Sequence, residues 1–120
     1  MIVEDYVSLE TAKLMYEHGF TGSCNKFSNK TKTVTGGEWD ISSTTNIPIP
    51  TLQMAMKWLR LIHKIFICPL FIDEKGLYGF TIENIADYRV IATSNDTNAL
   101  YDSPESACEA AIKYCLENLI

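Results

Sequence analysis

TLQMAMKWLRLIHK, residues 51–64, decides how the rest of the chain is read. Its polar residues Gln53, Lys57, Arg60 and Lys64 recur at alternating helical steps, which puts them on one narrow stripe. Leu52, Ala55, Leu59 and Ile62 fall on one side of that helix, with Met54, Trp58 and Leu61 beside them. A helix this apolar is expected to be covered over most of its circumference, as the centre of the core. Trp58 is its largest side chain, and truncating it to alanine would cost about 3–5 kcal/mol if it were fully enclosed. Ile47-Pro48-Ile49-Pro50 leads in, because a residue before proline is pushed out of helical geometry, and Thr51 is placed to cap.

Downstream, IFICPLFI (65–72) is rich in β-branched and aromatic residues without polar alternation, the pattern of a strand covered on both faces. Pro69 interrupts its hydrogen-bonding ladder, so a bulge or an edge position is expected there. After a turn at Asp73–Gly76, Tyr78, Phe80 and Ile82 alternate with Gly79, Thr81 and Glu83, completing an antiparallel hairpin. YRVIAT (88–93) is a further strand, turned by Ser94–Asp96, and Asn98–Tyr101 is a short strand that pairs back. The closing helix has Ser103 as cap, Pro104 in the first turn and Glu105 at the positive end. Cys108, Ile112, Cys115 and Leu119 form its core stripe, with Ala107 and Ala111 permitting close approach.

Upstream, SLETAKLMYEH (8–18) is a helix capped by Ser8, with Leu9, Ala12 and Tyr16 on its inner face and Met15 on the shoulder. Gly19 supplies a left-handed stop and Phe20 folds back on the last turn. Thr21–Asn46 is polar. Short strands are read at Lys32–Thr35 and Glu38–Ser42, with a turn at Asn29-Lys30. The sum is one α+β domain over residues 1–120. It is an antiparallel sheet of four to five strands packed with three helices, in the order α-β-β-α-β-β-β-α.

Composition narrows function. Asp and Glu outnumber Lys and Arg by 15 to 10, a net charge of −5, which disfavours anionic membranes and nucleic acid as partners. The longest apolar run is far too short to span a bilayer, and the acidic start MIVEDYVS lacks the basic flank of a signal peptide; a cytoplasmic location is expected. Cys24, Cys68, Cys108 and Cys115 are too scattered for a disulfide framework or a zinc site. Neither His18 nor His63 stands near a cysteine in sequence, and no phosphate-cradling glycine loop is present. The carboxylates of Glu38 and Asp40 read as solvated charges. The chain is therefore read as non-enzymatic, with no cofactor, metal or small-molecule substrate indicated.

Two binding readings follow. The over-apolar helix and an open edge on the 65–84 hairpin favour a protein partner, a second copy of the chain included. Alternatively, Lys57, Arg60 and Lys64 with Lys26, Lys30 and Lys32 make a basic patch for nucleic acid.

SLETAKLMYEHGF, PTLQMAMKWLRLIHKIFI and YDSPESACEAAIKYCLENLI together resemble a family of small phage- and prophage-associated proteins of Bacteroidetes. The likeness spans nearly the whole chain, least over Thr21–Ile47, and lies in core and capping positions. It implies a phage-type accessory protein of a bacterial cytoplasm, and it brings no activity, cofactor or catalytic residue with it.

Overall fold

A computed structural model describes residues 4–20, 27–28, 47–72, 76–96 and 99–120. The elements run α1 (Leu9–Glu17), β1 (Phe27–Ser28), β2 (Ile47–Pro48), α2 (Leu52–His63), β3 (Ile65–Phe71), β4 (Tyr78–Asn84), β5 (Arg89–Thr93) and α3 (Pro104–Asn118). A short 3-10 turn, Ser94–Asp96, follows β5. The expected mixture of three helices and an antiparallel sheet is observed. Among the described residues the strands divide into a three-stranded sheet, β3-β4-β5, and a separate two-residue ladder, β1-β2. Tyr101 pairs with the sheet through an isolated bridge to Tyr78, their amides and carbonyls exchanging bonds of 2.7 and 2.9 Å. The strands and turn read at Lys32–Thr35, Glu38–Ser42 and Asn29-Lys30 lie outside the described residues.

All three helix starts form as the sequence directs. Ser8, Thr51 and Ser103 are extended, and each accepts a bond from the amide three residues on. At the far end of α1, Gly19 is left-handed (φ 98°). Phe20 N–H then reaches the Met15 carbonyl at 2.9 Å and Gly19 N–H the Tyr16 carbonyl at 3.1 Å, the paired bonds of a Schellman stop.

The buried face of α1 is rotated from expectation. Thr11, Ala12 and Met15 are enclosed, while Tyr16 points to solvent. The cause is a carboxylate on α3. Glu109 accepts from Ser8 N–H at 3.0 Å, from Ser8 Oγ at 2.9 Å, and from the hydroxyl of Thr11 in a short bond. Satisfying a buried hydroxyl outweighs the area gained by burying Tyr16.

Helices α2 and α3 pack on one face of the sheet and α1 packs on α3. Ile65, Ile67, Phe80, Ile82 and Ala92 supply the inner sheet face, closed by Cys108, Ala111, Ile112 and Cys115 of α3. From α2 only Leu52, Ala55 and Leu59 are fully buried. This corrects the expectation of a helix covered nearly all round: Trp58 is half-buried against Phe20, and Leu61 and Ile62 are exposed, the latter by 63%. One sheet face and one neighbouring helix cover a single side of a cylinder, and the described residues bring nothing to the other side.

The strand β3 is likewise covered on one face, not two. Phe66 is 42% exposed, and Leu70 and Ile72 are exposed with it on the outer face beside Val90 of β5. Pro69 does occupy an edge strand, as expected.

Ladder parity shows what that edge offers. Lys64 carbonyl accepts from Ile85 N–H, and Ile72 N–H donates to the Leu77 carbonyl, so the even-numbered residues of β3 address β4. Odd-numbered residues then turn their backbone groups outward, and Pro69 removes the amide from one of those positions. The other edge is blunted differently: Ile91 bulges out of register, and Thr93 N–H is held by the Asp96 carboxylate at 2.7 Å.

Two substitutions test this account by urea denaturation. Replacing Glu109 with alanine leaves the buried Thr11 hydroxyl only Ser8 Oγ as partner and frees the Ser8 amide, and should cost about 1–3 kcal/mol. A methyl group at Gly79 would run into Ser94 Oγ and lie 3.1 Å from Ile72 Cδ1, so Gly79→Ala should lose about 1–2 kcal/mol. Tyr88, by contrast, is 90% exposed and left-handed (φ 58°) in the β4–β5 turn, where Tyr88→Gly should gain about 1 kcal/mol.

Candidate functional site

One residue joins α2 to β3. Lys64 is left-handed (φ 59°, ψ 37°), closing the helix and starting the strand in the same step. The two elements therefore leave a common corner and diverge, and a groove opens between them. Near the corner it is narrow, about 170 Å³, between Met56 and Arg60 of α2 and Phe66 and Ile67 of β3. Farther out it deepens to about 330 Å³, floored by Leu52, Met56, Pro69 and Cys108. Gln53 and Met56 line both parts, so the two adjoin.

The ends of the groove differ in charge. Arg60 stands at the narrow end, with Lys57 and Lys64 exposed on the same stripe of α2. Glu4, Asp5 and Glu105 stand at the wide end. Asp5 is fixed there by the backbone: its carbonyl accepts from Leu52 N–H at 2.9 Å, and Val7 N–H donates to the Pro50 carbonyl at 3.0 Å. Glu105 is in the first turn of α3, where a carboxylate also complements the helix dipole. Among the described residues none of Lys57, Arg60 and Lys64 takes part in an ion pair.

Of the six cations proposed for nucleic acid, the structure thus brings Lys57, Arg60 and Lys64 together on one exposed stripe. Lys26, Lys30 and Lys32 lie outside the described residues, as do Glu38 and Asp40. Sequence reading missed the groove, because its acidic end is assembled from Glu4, Asp5 and Glu105, which are remote in the chain. Pro69 in an otherwise continuous strand was the available signal that this edge is unusual.

Two thiols, Cys108 and Cys115, and one imidazole, His63, are set for packing. Cys68, Cys108 and Cys115 are free. Burial pushes the Cys108 thiol up to about 11, with nearby Glu105 and Cys68 adding to the shift, and burial pushes Cys115 up to about 12. Neither holds a meaningful thiolate fraction at neutral pH. His63 lies edge-on against Trp58, ring centres 4.9 Å apart, with its Nε2 buried and without a hydrogen-bond partner. Desolvation, followed by the neighbouring His18, lowers its pKa, so it stays neutral. Among the described residues no group of three or more His, Cys, Asp or Glu is placed to hold a metal ion, and no helix is long and apolar enough to cross a membrane.

Comparison with protein families, with curated proteins and with solved structures finds no match for the chain. The geometry alone therefore carries the functional reading: a shallow apolar groove with opposite charges at its ends, beside an open apolar sheet face.

These pKa directions fix a pH profile. The unfolded thiols ionise near 9.0 while the folded ones hold their protons to about 11 and about 12, so stability falls as pH rises from about 9. On the acid side, unfolded His63 protonates near 6.5 and the folded residue resists, so stability also falls as pH drops through 6.5. Thermal melts across this range should show a plateau between the two limbs. Cys115→Ala should shrink the alkaline limb, whereas an alkaline limb of unchanged depth would refute its origin in that thiol.

Proposed function

We propose that the chain is a non-enzymatic binding protein that acts through contact with another protein. The observation that supports this reading is the groove between α2 and β3, whose apolar floor and charged ends adjoin the open outer sheet face. Phe66 belongs to both surfaces. Exposed apolar side chains in a continuous cluster, rimmed by charge, characterise protein contact surfaces. The resemblance of the three helical segments to phage and prophage proteins supports placing that role among phage-type accessory proteins of a bacterial cytoplasm.

Self-association is the simplest case of protein contact, and light scattering across a concentration series measures it directly. A mass that rises with concentration, and is returned to one chain by Val90→Lys on the outer face, would make a second copy the partner. The general reading is tested by tagged capture from a bacterial lysate with and without nuclease. A stoichiometric, nuclease-resistant protein supports it; a monomer that retains no protein sinks it.

A second reading, nucleic-acid binding, is favoured by one observation, the exposed stripe of Lys57, Arg60 and Lys64. It predicts capture that nuclease abolishes. Affinity for a labelled single strand should also fall with salt at a logarithmic slope of about −0.7 per phosphate neutralised. A salt-insensitive signal, or one unmoved by Lys57→Glu, removes it.

A further inference from the structure

We propose that the α2–β3 groove takes a short extended peptide segment of another protein. The segment carries an acidic residue beside Arg60, an apolar residue over Met56 and Pro69, and a basic residue beside Asp5 and Glu105. The inference rests on the protein-binding reading above and names the chemistry of the partner.

Three features select this occupant. The first is size. The deeper part of the groove, about 330 Å³, is within the range of pockets that enclose a compact ligand or a few side chains. A second copy meeting it groove to groove about a two-fold axis would leave it unfilled.

The second is the strand edge. The outward backbone groups of Ile65 and Ile67 can bond a short extended chain, but Pro69 offers no amide, so a ladder cannot run the length of β3. Two β3 edges meeting about a two-fold axis would meet this gap twice. A short segment meets it once at most, and can place a side chain there instead of a carbonyl.

The third is charge. Arg60 stands at the narrow end and Asp5 and Glu105 at the wide end, with Met56 lining both parts. An extended segment whose acidic and basic residues are separated by apolar ones would complement both ends at once. In a segment whose backbone direction is set by its bonds to Ile65 and Ile67, the opposite charge order would put like charges against each other at both ends, so the groove discriminates charge order.

The test is fluorescence polarisation with three labelled peptides. Two share a composition in opposite block order, Asp-Asp-Leu-Val-Leu-Lys-Lys and Lys-Lys-Leu-Val-Leu-Asp-Asp; the third has serine in place of every charged residue. One block order should bind about tenfold or more tighter than the other two peptides, the effect expected of partly desolvated charge pairs. The double variant Arg60→Glu with Glu105→Lys should weaken that preference or reverse it. Both positions are exposed, and an unchanged circular dichroism spectrum would confirm that the variant is folded. Equal binding of all three peptides, no binding by any, or a preference untouched by the double variant overturns the proposal.

Lysate capture with the same variant separates this failure from failure of the broader reading. A nuclease-resistant protein partner retained by the double variant means that the groove is not the site, while protein binding stands. No protein partner with either form means that the broader reading has failed as well.

Discussion

The left-handed turn at Lys64 is the constraint on which the arrangement depends. A helix followed by a strand ordinarily has a few residues in which to relax its direction; here there is one. Lysine in this conformation costs about 1 kcal/mol relative to glycine. In return the last turn of α2 and the first residue of β3 share a corner, and the Lys64 carbonyl is tied to Ile85 across the hairpin. The direction of α2 against the sheet, and the groove between them, both follow from that corner.

The electrostatics are organised by position in the same way. Net charge is negative, yet around the groove the opposite charges are kept apart: cations on one stripe of α2, carboxylates where the N-terminal segment and α3 meet. The carboxylate of Glu109, drawn in between α1 and α3, answers hydroxyl and amide donors rather than a cation among the described residues. It therefore fixes geometry without the desolvation of a buried ion pair.

Local rules were legible in the sequence wherever a side chain speaks to its own neighbourhood. Ser8, Thr51 and Ser103 announce helix starts, Gly19 a stop, and the alternation from Tyr78 to Glu83 a strand with defined faces. The core stripe of α3 was equally plain for Cys108, Ile112 and Cys115, which need only one helix's periodicity to be recognised, whereas Leu119, read as its fourth member, caps the helix and is only partly buried. What was not legible is how much of each apolar surface meets a partner within the chain. Hydrophobicity in 65–72 suggested two covered faces and the apolar girth of α2 suggested full enclosure, but coverage is a property of neighbours. The rotation of α1 was hidden for the same reason: the residue that turns Thr11 inward lies on another helix. The site shared this fate, its acidic end being a product of tertiary contact, while its basic stripe could be read from spacing alone.

The bond between Ser8 and Glu109 joins residues 101 positions apart. A ribosome that has just made α1 must synthesise all of that intervening chain before the carboxylate exists to hold it. The sheet that α2 leans on is also made after α2. The nascent protein therefore carries its most apolar helix without its full set of packing partners while residues 65–118 are made. A chain of such non-local contacts closes late and all at once. This makes its early life, more than its folded state, the stage at which a holding chaperone would matter.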